Sequence, residues 1–311
     1  MPKVSIVIPV YDVENYIERC VRSLFEQTLD DLEFIFVNDC TLDKSLEIIH
    51  MIVQEYPNRI NQIKIINHEV NKGLAVARKT GIEASTGEYI IQCDSDDWMD
   101  INMCNILYSR AKIDDSDVTI CGYYVTDLKI YKPYVKGLVT DKKELIRNCL
   151  YQKTSASLCT KLFKRSLFDK NIIYPLTAMG EDITLALQLL YQSQRISVIN
   201  RPLYYYYSNL NSISKNQDIE KVYGRFQQIL QNILIMEDFI NKNNLAKEYK
   251  FALICFKFKQ RNILLPLIRY DEYFKIWKNT FAEINILVPL LPITIREKIL
   301  FFLRFVRLKK K

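Results

Sequence analysis

The sequence predicts an α/β protein with a mainly parallel, Rossmann-like sheet covered by helices on both faces, followed by a helical C-terminal region. In the first part of the chain, β-rich apolar runs alternate with segments of helical periodicity, which is typical of βαβ units. Beyond about residue 216, apolar residues recur at spacings of three and four, which favours helices. We therefore predict two regions, 1–215 and 216–311.

The first elements follow one another in a regular order. Their strands read as continuous apolar runs such as VSIVIPV, which indicates burial on both faces, as in a parallel sheet. The intervening segments place apolar residues on one helical face. The predicted strands are 4–10, 33–37, 63–67 and 88–93, and the predicted helices are 14–27, 43–55 and 73–85.

The pattern loosens after about residue 117. Residues 117–125 (DVTICGYYV) are predicted as a strand, and 161–171 as a basic helical turn. Residues 178–193 are predicted as a helix with two acids in its first turn. The segment 196–209 (ISVINRPLYYYYSN) is predicted as a strand pair or a sheet edge.

A run of acids follows the fourth predicted strand. Asp94, Asp96 and Asp97 fall within four residues, with Ser95 between the first two. Such a run could be a solvated turn or a helix cap. It could also bind a divalent cation, because hard cations prefer carboxylate oxygens. In extended chain Asp94 and Asp96 point the same way, since side chains repeat every two residues.

Polar residues follow all four predicted strands. In a parallel sheet the carboxyl ends of the strands meet at one edge, where ligands bind. This coincidence favours a functional acid cluster over a solvated turn. The residues are Pro9, Tyr11, Asp12 and Glu14 after the first strand, Asn38, Asp39 and Asp43 after the second, Asn71, Lys72 and Gly73 after the third, with Arg78 in the next helix, and Asp94–Asp97 after the fourth.

Taken together, these motifs resemble family 2 glycosyltransferases with the GT-A fold. The resemblance rests on VSIVIPVYDVENYIERCVRSLFEQT, FVNDCTLDKS, NKGLAVARKTGIEASTGEYIIQCDSDDW and GEDITL, and it covers about residues 3–215. It implies a nucleotide-sugar donor, a divalent metal (Mn²⁺ or Mg²⁺) and inversion at the anomeric carbon. Uracil is the expected base, so the expected donor is a UDP-sugar.

The resemblance also implies roles for individual residues. Asp96 matches the metal ligand, Asp182 matches the catalytic base, and Glu181 stands beside it. The donor-binding positions are Pro9 and Tyr11 beside the base and ribose, Asp39 at the uracil edge, Asn71, Gly73 and Arg78 near the nucleotide, and Asp94 near the ribose with Ser95 in the same loop.

Three positions depart from the family pattern, and each implied role has a simpler alternative. Asp12 stands where Asn is usual, Asn38 where Asp is usual, and Cys40-Thr41 where Gly-Ser is usual. Glu181 and Asp182 could merely begin a helix, and Arg78 could be a solvated helix charge. Residues 71–73 could be only a turn. In the N-terminal turn of a helix, the dipole lowers the pKa of an acid, whereas burial raises it. For Asp182, the sequence is compatible with either a lowered or a raised pKa.

Composition limits the setting of the protein. The eight cysteines form no CxxC pair, and the N-terminal residues 1–10 look like a strand rather than a signal peptide. Both observations favour a reducing cytoplasm. The charge is concentrated, because residues 285–311 hold seven Lys or Arg and one Glu, which gives +6 of the total +7. A nucleic-acid binder would more often spread its basic surface, so we expect no nucleic-acid partner.

The C-terminal tail has the pattern of an interfacial amphipathic helix. Its apolar residues share one helical face, and such helices are attracted to anionic lipid. It contains too few uncharged apolar residues to span a bilayer. We expect peripheral attachment at the inner face of the cell membrane; a helix packed on the catalytic region is the alternative. The apolar residues are Ile295, Ile299, Phe302, Leu303 and Val306.

Other protein classes explain the sequence less well. A sugar nucleotidyltransferase would carry a Gly-rich basic loop after the first strand, where this chain has PVYDVENY. A haloacid-dehalogenase-type phosphatase carries its DxD after the first strand rather than the fourth. A non-catalytic nucleotide-sugar-binding protein would not need Asp94, Asp96 and Asp182 together. The expected function is therefore transfer of a hexosyl or N-acetylhexosaminyl group to a saccharide or lipid-linked saccharide in polysaccharide biosynthesis, with acceptor selectivity in residues 120–215 and the tail.

Overall fold

The computed structural model describes residues 1–208 and 217–307. Within these ranges, nine strands form one sheet in the order β3-β2-β1-β4-β8-β6-β9-β5, with β7 paired to β6. The strands are β1 (Val4–Val10), β2 (Leu32–Asn38), β3 (Ile63–Asn67), β4 (Tyr89–Gln92), β5 (Trp98–Met99), β6 (Val118–Thr126), β7 (Tyr131–Tyr134), β8 (Lys161–Lys164) and β9 (Ile196–Tyr207).

The sheet has a parallel half and a mixed half. Strands β3, β2, β1 and β4 are all parallel, as their apolar runs predict. Strand β8 then pairs antiparallel with β4 and β6, while β6 and β9 run parallel with a register irregularity around Gly122. The sheet as a whole is thus mixed, and the predicted parallel arrangement is confirmed for its first four strands, β1 to β4.

Helices cover both faces of the sheet, as predicted. They are α1 (Ile17–Phe25), α2 (Ser45–Glu55), α3 (Leu74–Ala84), α4 (Met103–Asp114), α5 (Lys142–Leu150), α6 (Glu181–Gln192), α7 (Ile219–Lys242), α8 (Ala246–Arg261), α9 (Asp271–Asn279) and α10 (Ile295–Arg307). Alternate residues of β1 separate the two faces: Ile6 and Ile8 pack in the core that includes α1 and α4, whereas Val7 faces Ile82 of α3.

The helices after residue 216 share a core with the sheet region. Phe226 of α7 and Phe256 of α8 belong to the same apolar cluster as Val118 of β6 and Leu187 of α6. The boundary predicted at 215 lies within residues 209–216, outside the described residues, and it stays a prediction. None of the helices in the described ranges combines the length and apolar character needed to cross a bilayer.

Helix α10 presents two different apolar faces. Phe301 is buried and its ring contacts Phe258 and Trp277, at centroid distances of 5.7 Å each. The predicted apolar face instead points away from the protein: Ile295, Ile299, Phe302, Leu303 and Val306 are all exposed. The helix therefore packs on the preceding helices and still leaves a second apolar face uncovered, while the basic end at 308–311 lies outside the described residues.

The segment 161–171 was predicted incorrectly as a helical turn. Lys161–Lys164 is strand β8, and only Arg165–Leu167 form a short 3₁₀ turn. Four residues are too few to show a period, and pairing with β4 and β6 decides their conformation. Segment 196–209 likewise contains one continuous strand, β9, through Tyr207 rather than a pair.

Candidate active site

The predicted site residues lie at the carboxyl edge of the parallel strands. The loops after β1, β2 and β3 are joined in turn by hydrogen bonds from backbone N–H groups to side chains. Asp12 N donates to Thr41 Oγ1 at 2.9 Å, and Glu14 N donates to Asp43 Oδ2 at 2.8 Å. The loops after β1 and β2 are therefore tied together, as expected for one composite site.

The first loop offers an exposed aromatic ring. Pro9 is buried in β1 opposite Val37 of β2. Its missing N–H breaks no ladder with β4, because that pairing ends at Val7. Tyr11, two residues on, is half exposed. The strand thus delivers an accessible tyrosine to the edge where a base would stack.

Asp39 is engaged inside the protein. Its carboxylate accepts hydrogen bonds from Lys72 N (2.8 Å) and Gly73 N (2.7 Å), and Oδ1 lies 2.7 Å from His68 Nδ1. The residue is only 3% exposed. Asp39 therefore fixes the third loop, and its expected contact with uracil would use the lone pairs that these three partners leave.

The third loop is shaped by a glycine. Gly73 has φ +87 and precedes α3, and its N–H is shared with Asn71 Oδ1 at 3.1 Å. This positive φ favours glycine. Apart from its chain neighbours, no described residue has a heavy atom within 4 Å of where a Cβ would stand, so the loop surface is open to a ligand. Asn71 is exposed beside it.

Arg78 joins the two acidic motifs. Its guanidinium lies 2.6 Å from Asp94 Oδ1, 2.7 Å from Glu181 Oε1 and 4.0 Å from Asp182 Oδ1, and it also donates to Gln92 Oε1. It is buried. Burial alone would lower the pKa of Arg78, but the three carboxylates raise it well above its ordinary value. Arg78 is thus not a solvated helix charge. It connects Asp94, in the loop after β4, with Glu181 at the start of α6.

Helix α6 brings the second acidic motif into the site. Gly180, with φ +81, precedes the helix, and a Cβ there would collide with the Ile229 side chain. Glu181 is buried and Asp182 is 35% exposed. The glycine lets the chain turn so that both acids of the first helical turn face Arg78.

The pKa of both acids is raised, and burial is the largest cause. It raises the pKa of Glu181 to about 8; the Arg78 guanidinium opposes this, and Asp182 and Asp94 add to it. Burial also raises the pKa of Asp182, against the lowering effect of Arg78 and of the Leu158 N–H. Asp182 Oδ1 is buried without a hydrogen-bond partner among the described residues. A buried acceptor of this kind is usually satisfied by a ligand or water, and a base with a raised pKa suits proton transfer near neutral pH.

The loop after β4 is anchored by its last acid. Asp97 is buried, and its carboxylate accepts hydrogen bonds from Tyr204 Oη and Tyr207 N, both at 2.7 Å. Tyr204 Oη in turn accepts from Asp94 N at 3.1 Å. Burial and the charges of Asp96 and Asp94 raise the pKa of Asp97 well above its ordinary value. Asp97 therefore holds the loop against β9, which leaves Asp94 and Asp96 partly exposed and Ser95 buried.

The charges of the site fit a divalent cation. Three carboxyl groups face one guanidinium at Arg78, and Asp96 lies two residues from Asp94, so carboxyl groups outnumber the cation. Among residues 1–208 and 217–307, no three His, Cys, Asp or Glu side chains form a metal cage by themselves. Mg²⁺ is ordinarily held by one or two carboxylates together with substrate phosphates. The residues thus fit a metal ion whose remaining ligands would come from a substrate diphosphate.

Several partners in the site carry a weaker sequence signal. Gln92 ends a buried strand, and a polar residue at such a position indicates a hydrogen-bond partner, here Arg78. His68 lies in the largely polar segment NHEVNK after β3, and Tyr204 lies in the aromatic run YYYY. Nothing in the local sequence shows that His68 meets Asp39 or that Tyr204 meets Asp97, because both contacts join distant segments.

A cavity of about 630 Å³ opens beside Asp182. Its wall includes Tyr123 and Tyr134 of the β6–β7 hairpin and Phe256 of α8. Loop 152–157 lines another part of the wall. The exposed part of the Asp182 carboxyl therefore has a space next to it that can hold a ligand.

Comparison with known proteins identifies relatives for most of the chain. The family model described as Glycosyl transferase family 2 matches residues 5–172. The uncharacterized glycosyltransferase EpsJ of Bacillus subtilis is 34% identical over 69% of this chain and 64% of its own length. The putative glycosyltransferase EpsH of Bacillus subtilis is 31% identical over 82% of this chain and 74% of its own length.

Solved structures show the same fold. Staphylococcus aureus TarS 1-349, crystallised with UDP-GlcNAc, superposes with a TM-score of 0.60 at 22% identity, covering 84% of this chain and 81% of its own. The mannosyltransferase PcManGT of Pyrobaculum calidifontis, in complex with GDP-Man and Mn²⁺, gives a TM-score of 0.55 at 15% identity, covering 91% of this chain and 85% of its own. The predicted GT-A fold is confirmed.

Proposed function

Because the chain belongs to glycosyl transferase family 2, we propose that it transfers a hexosyl or N-acetylhexosaminyl group from a nucleoside diphosphate sugar, with inversion, to a hydroxyl of a saccharide or lipid-linked saccharide in polysaccharide biosynthesis. One observation carries this proposal. The Arg78 guanidinium holds Asp94 of the D-S-D loop and Glu181 of the G-E-D motif within 2.7 Å, so the residues expected to bind the donor and to activate the acceptor meet in one network.

The donor lies along the carboxyl edge of β1 to β4. Tyr11 packs against the base, the loop around Gly73 contacts the nucleotide, and Asp39 holds that loop through two backbone N–H groups. UDP is the proposed nucleotide, since a carboxylate can accept the uracil N–H. The relatives TarS and PcManGT bind UDP-GlcNAc and GDP-Man, so UDP is to be tested against GDP.

Asp96 would hold a divalent cation, Mn²⁺ or Mg²⁺, together with the donor diphosphate. When bound, such an ion neutralises charge that develops on the leaving phosphate. The chain itself contributes Arg78, which balances Asp94, Glu181 and Asp182 and keeps these carboxylates at fixed positions. The Ser95 backbone stays in place because Asp97 anchors the loop to Tyr204.

Asp182 is the proposed general base. Its side chain is 35% exposed and lies beside the cavity, so it can accept the proton of an acceptor hydroxyl. A single base acting on the face opposite the leaving group gives inversion. Glu181, buried against Arg78, keeps the guanidinium in position and does not face the cavity.

The donor assignment is tested by ligand-dependent stability. Thermal unfolding is measured with UDP, GDP, ADP, TDP and CDP, each with Mn²⁺, Mg²⁺ or EDTA. A ligand at a hundred times its Kd stabilises the folded state by about 2.7 kcal/mol, so UDP with a metal should raise Tm most. Equal shifts for all five nucleotides would contradict selective donor binding. Hydrolysis of UDP-sugars with metal present then separates a transferase from a non-catalytic binding protein.

We also propose that α10 attaches the enzyme to the inner face of a cytoplasmic membrane. The exposed Ile295–Val306 face supports this, because it stays uncovered while Phe301 packs inward. All eight cysteines are free, which suits a reducing compartment. Each basic residue near an anionic leaflet contributes about 1 kcal/mol.

Membrane attachment is tested by flotation with liposomes of phosphatidylcholine alone or with phosphatidylserine. The full chain should float with anionic vesicles at low salt and less at high salt, since salt screens exposed charges. A variant carrying Ile299→Ser, Leu303→Ser and Val306→Ser keeps the buried Phe301 and should not float. Equal flotation of both proteins would contradict attachment through this face.

A further inference from the structure

The cavity beside Asp182 has the composition of a saccharide site. We infer that it is the acceptor site and that it takes a saccharide bearing a phosphate group; this inference rests on the proposed transferase function. Its volume of about 630 Å³ falls within the roughly 300–1,000 Å³ of small-molecule sites. The residues that line it come from the hairpin β6–β7, the segment 149–160, the start of α6, and helices α7 and α8.

One wall of the cavity is aromatic. Tyr134 stacks on Tyr123 with ring centroids 5.2 Å apart and an interplanar angle of 11°. Tyr134 is nevertheless 46% exposed, so one face of its ring is available. A tyrosine offers a flat apolar face and a polar hydroxyl, which matches the apolar C–H face and the hydroxyl rim of a sugar ring.

A second wall carries hydroxyl groups and is fixed in place. Ser155 and Ser157 line the cavity. Their carbonyl oxygens accept hydrogen bonds from Lys161 Nζ, at 2.9 and 2.7 Å. Lys161 is fully buried, and a buried ammonium needs such partners. The loop is therefore pre-formed, which reduces the ordering cost of binding a polar ligand.

The charges of the lining point to an anionic group on the acceptor. Two exposed lysines, Lys136 and Lys153, belong to the lining, and Asp182 is the carboxylate in it. Charge-assisted hydrogen bonds from lysine favour phosphate over neutral groups. The acceptor hydroxyl would lie at the exposed part of the Asp182 carboxylate, the sugar ring against Tyr134, and the phosphate at the two lysines.

The C-terminal helices complete this cavity. Ile229 of α7 lies next to Gly180, and Phe256 and Gln260 of α8 belong to the wall. The region beyond residue 216 is thus part of the acceptor site. Another groove, of about 670 Å³, lies along α1 and is lined by Arg19, Trp98 and Tyr205. It does not include Asp182, so it is not the acceptor site.

The test measures sugar binding to the full chain saturated with UDP and Mn²⁺. The probes are the methyl glycosides of glucose, galactose and N-acetylglucosamine and the corresponding sugar 1-phosphates, titrated by saturation-transfer NMR. At least one 1-phosphate should bind about tenfold more tightly than its methyl glycoside, the scale of one charge-assisted hydrogen bond. The double variant Lys136→Ala, Lys153→Ala should remove that preference.

Tyr131 supplies a matched control for Tyr134. Both belong to β7 and are equally exposed, at 46%, but Tyr131 contacts Tyr124 and Tyr205 on the other side of the hairpin. Tyr134→Ala should weaken all sugar probes at least about tenfold, whereas Tyr131→Ala should leave them unchanged. The double variant Lys129→Ala, Lys132→Ala, which also removes two exposed lysines but outside the cavity lining, controls for net charge.

Three results would overturn the inference. Binding of no 1-phosphate, or equal binding of phosphorylated and methyl sugars, contradicts the anionic acceptor; equal effects of Tyr134→Ala and Tyr131→Ala contradict the location. The UDP affinity is measured separately with each protein. If the unaltered chain binds UDP but none of the sugar probes, this inference alone fails. If the unaltered chain does not bind UDP, the proposed function is contradicted.

Discussion

Replacing Arg78 by Met should destabilise the protein far more than a typical arginine substitution. The guanidinium is buried and contacts Asp94 at 2.6 Å and Glu181 at 2.7 Å. Removing one partner of a buried ion pair costs about 3–5 kcal/mol. Because the Asp94 side chain is 30% exposed, we expect the lower end, about 3 kcal/mol. Arg78→Lys keeps the positive charge but loses the planar guanidinium that donates to several partners at once. It should lower the free energy of unfolding by about 1–3 kcal/mol.

The pH dependence of this loss identifies its electrostatic origin. Without Arg78, the pKa values of Glu181 and Asp182 should rise beyond the increase that burial already causes. The folded variant then binds more protons than the folded parent, so its stability rises more steeply than that of the parent as the pH falls from 8 towards 5. The difference in free energy of unfolding between variant and parent should therefore narrow over that range.

Urea denaturation followed by circular dichroism at pH 8, 7, 6 and 5 measures both effects. Arg110→Met is the control, because Arg110 also pairs with a carboxylate at 2.6 Å, that of Asp114, but on a helix surface. Surface pairs contribute about 0–1 kcal/mol. If Arg78→Met costs no more than Arg110→Met, or if its cost is constant with pH, Arg78 does not hold the acidic cluster together.

Three further outcomes are expected. Asp96→Ala should abolish metal-dependent turnover of a UDP-sugar while the fold, followed by circular dichroism, persists; unchanged turnover would exclude Asp96 as the ligand. Asp39→Ala should weaken UDP binding and remove the preference of UDP over GDP in titration calorimetry, because it frees the loop held through Lys72 N and Gly73 N; equal affinities before and after the change would contradict a role in base selection. Cys40→Gly should raise the free energy of unfolding by up to about 1 kcal/mol, because Cys40 has φ +60 and the left-handed conformation costs a non-glycine residue about 1–2 kcal/mol. The greater backbone entropy of glycine in the unfolded chain offsets part of this gain. A loss of stability in urea denaturation would show that the Cys40 side chain matters more than its backbone.

The first half of the sheet could be predicted because its signal is local. Strands β1 to β4 are continuous apolar runs separated by helices with clear periodicity, and their order places the polar loops at one edge. The later strands carry no comparable signal. Residues Lys161–Lys164 read KLFK, which shows no alternation of charged and apolar positions. The strand exists because β4 and β6 lie on either side of it.

The site was predictable as a set of motifs but not as a network. The sequence predicts acids after β4 and at the start of α6, and the structure brings both to Arg78. Three contacts joining distant segments lie beyond local patterns: Arg78 with Glu181, Asp39 with His68, and Asp97 with Tyr204. Position Cys40 shows the converse. A departure from glycine was visible in the sequence, and the structure shows that the backbone keeps the glycine-like conformation.

The central claim is that Asp182 activates the acceptor while other residues bind the donor. Its most direct measurement compares Asp182→Asn with the unaltered enzyme for UDP-sugar turnover and, in parallel, for UDP affinity. The substitution should lower kcat by about 10²–10⁴, the usual contribution of a positioned base, with the UDP Kd unchanged, because Asp182 contacts Arg78 only at 4.0 Å and faces the cavity. If turnover and UDP affinity fall together, or if turnover persists, Asp182 is not the base.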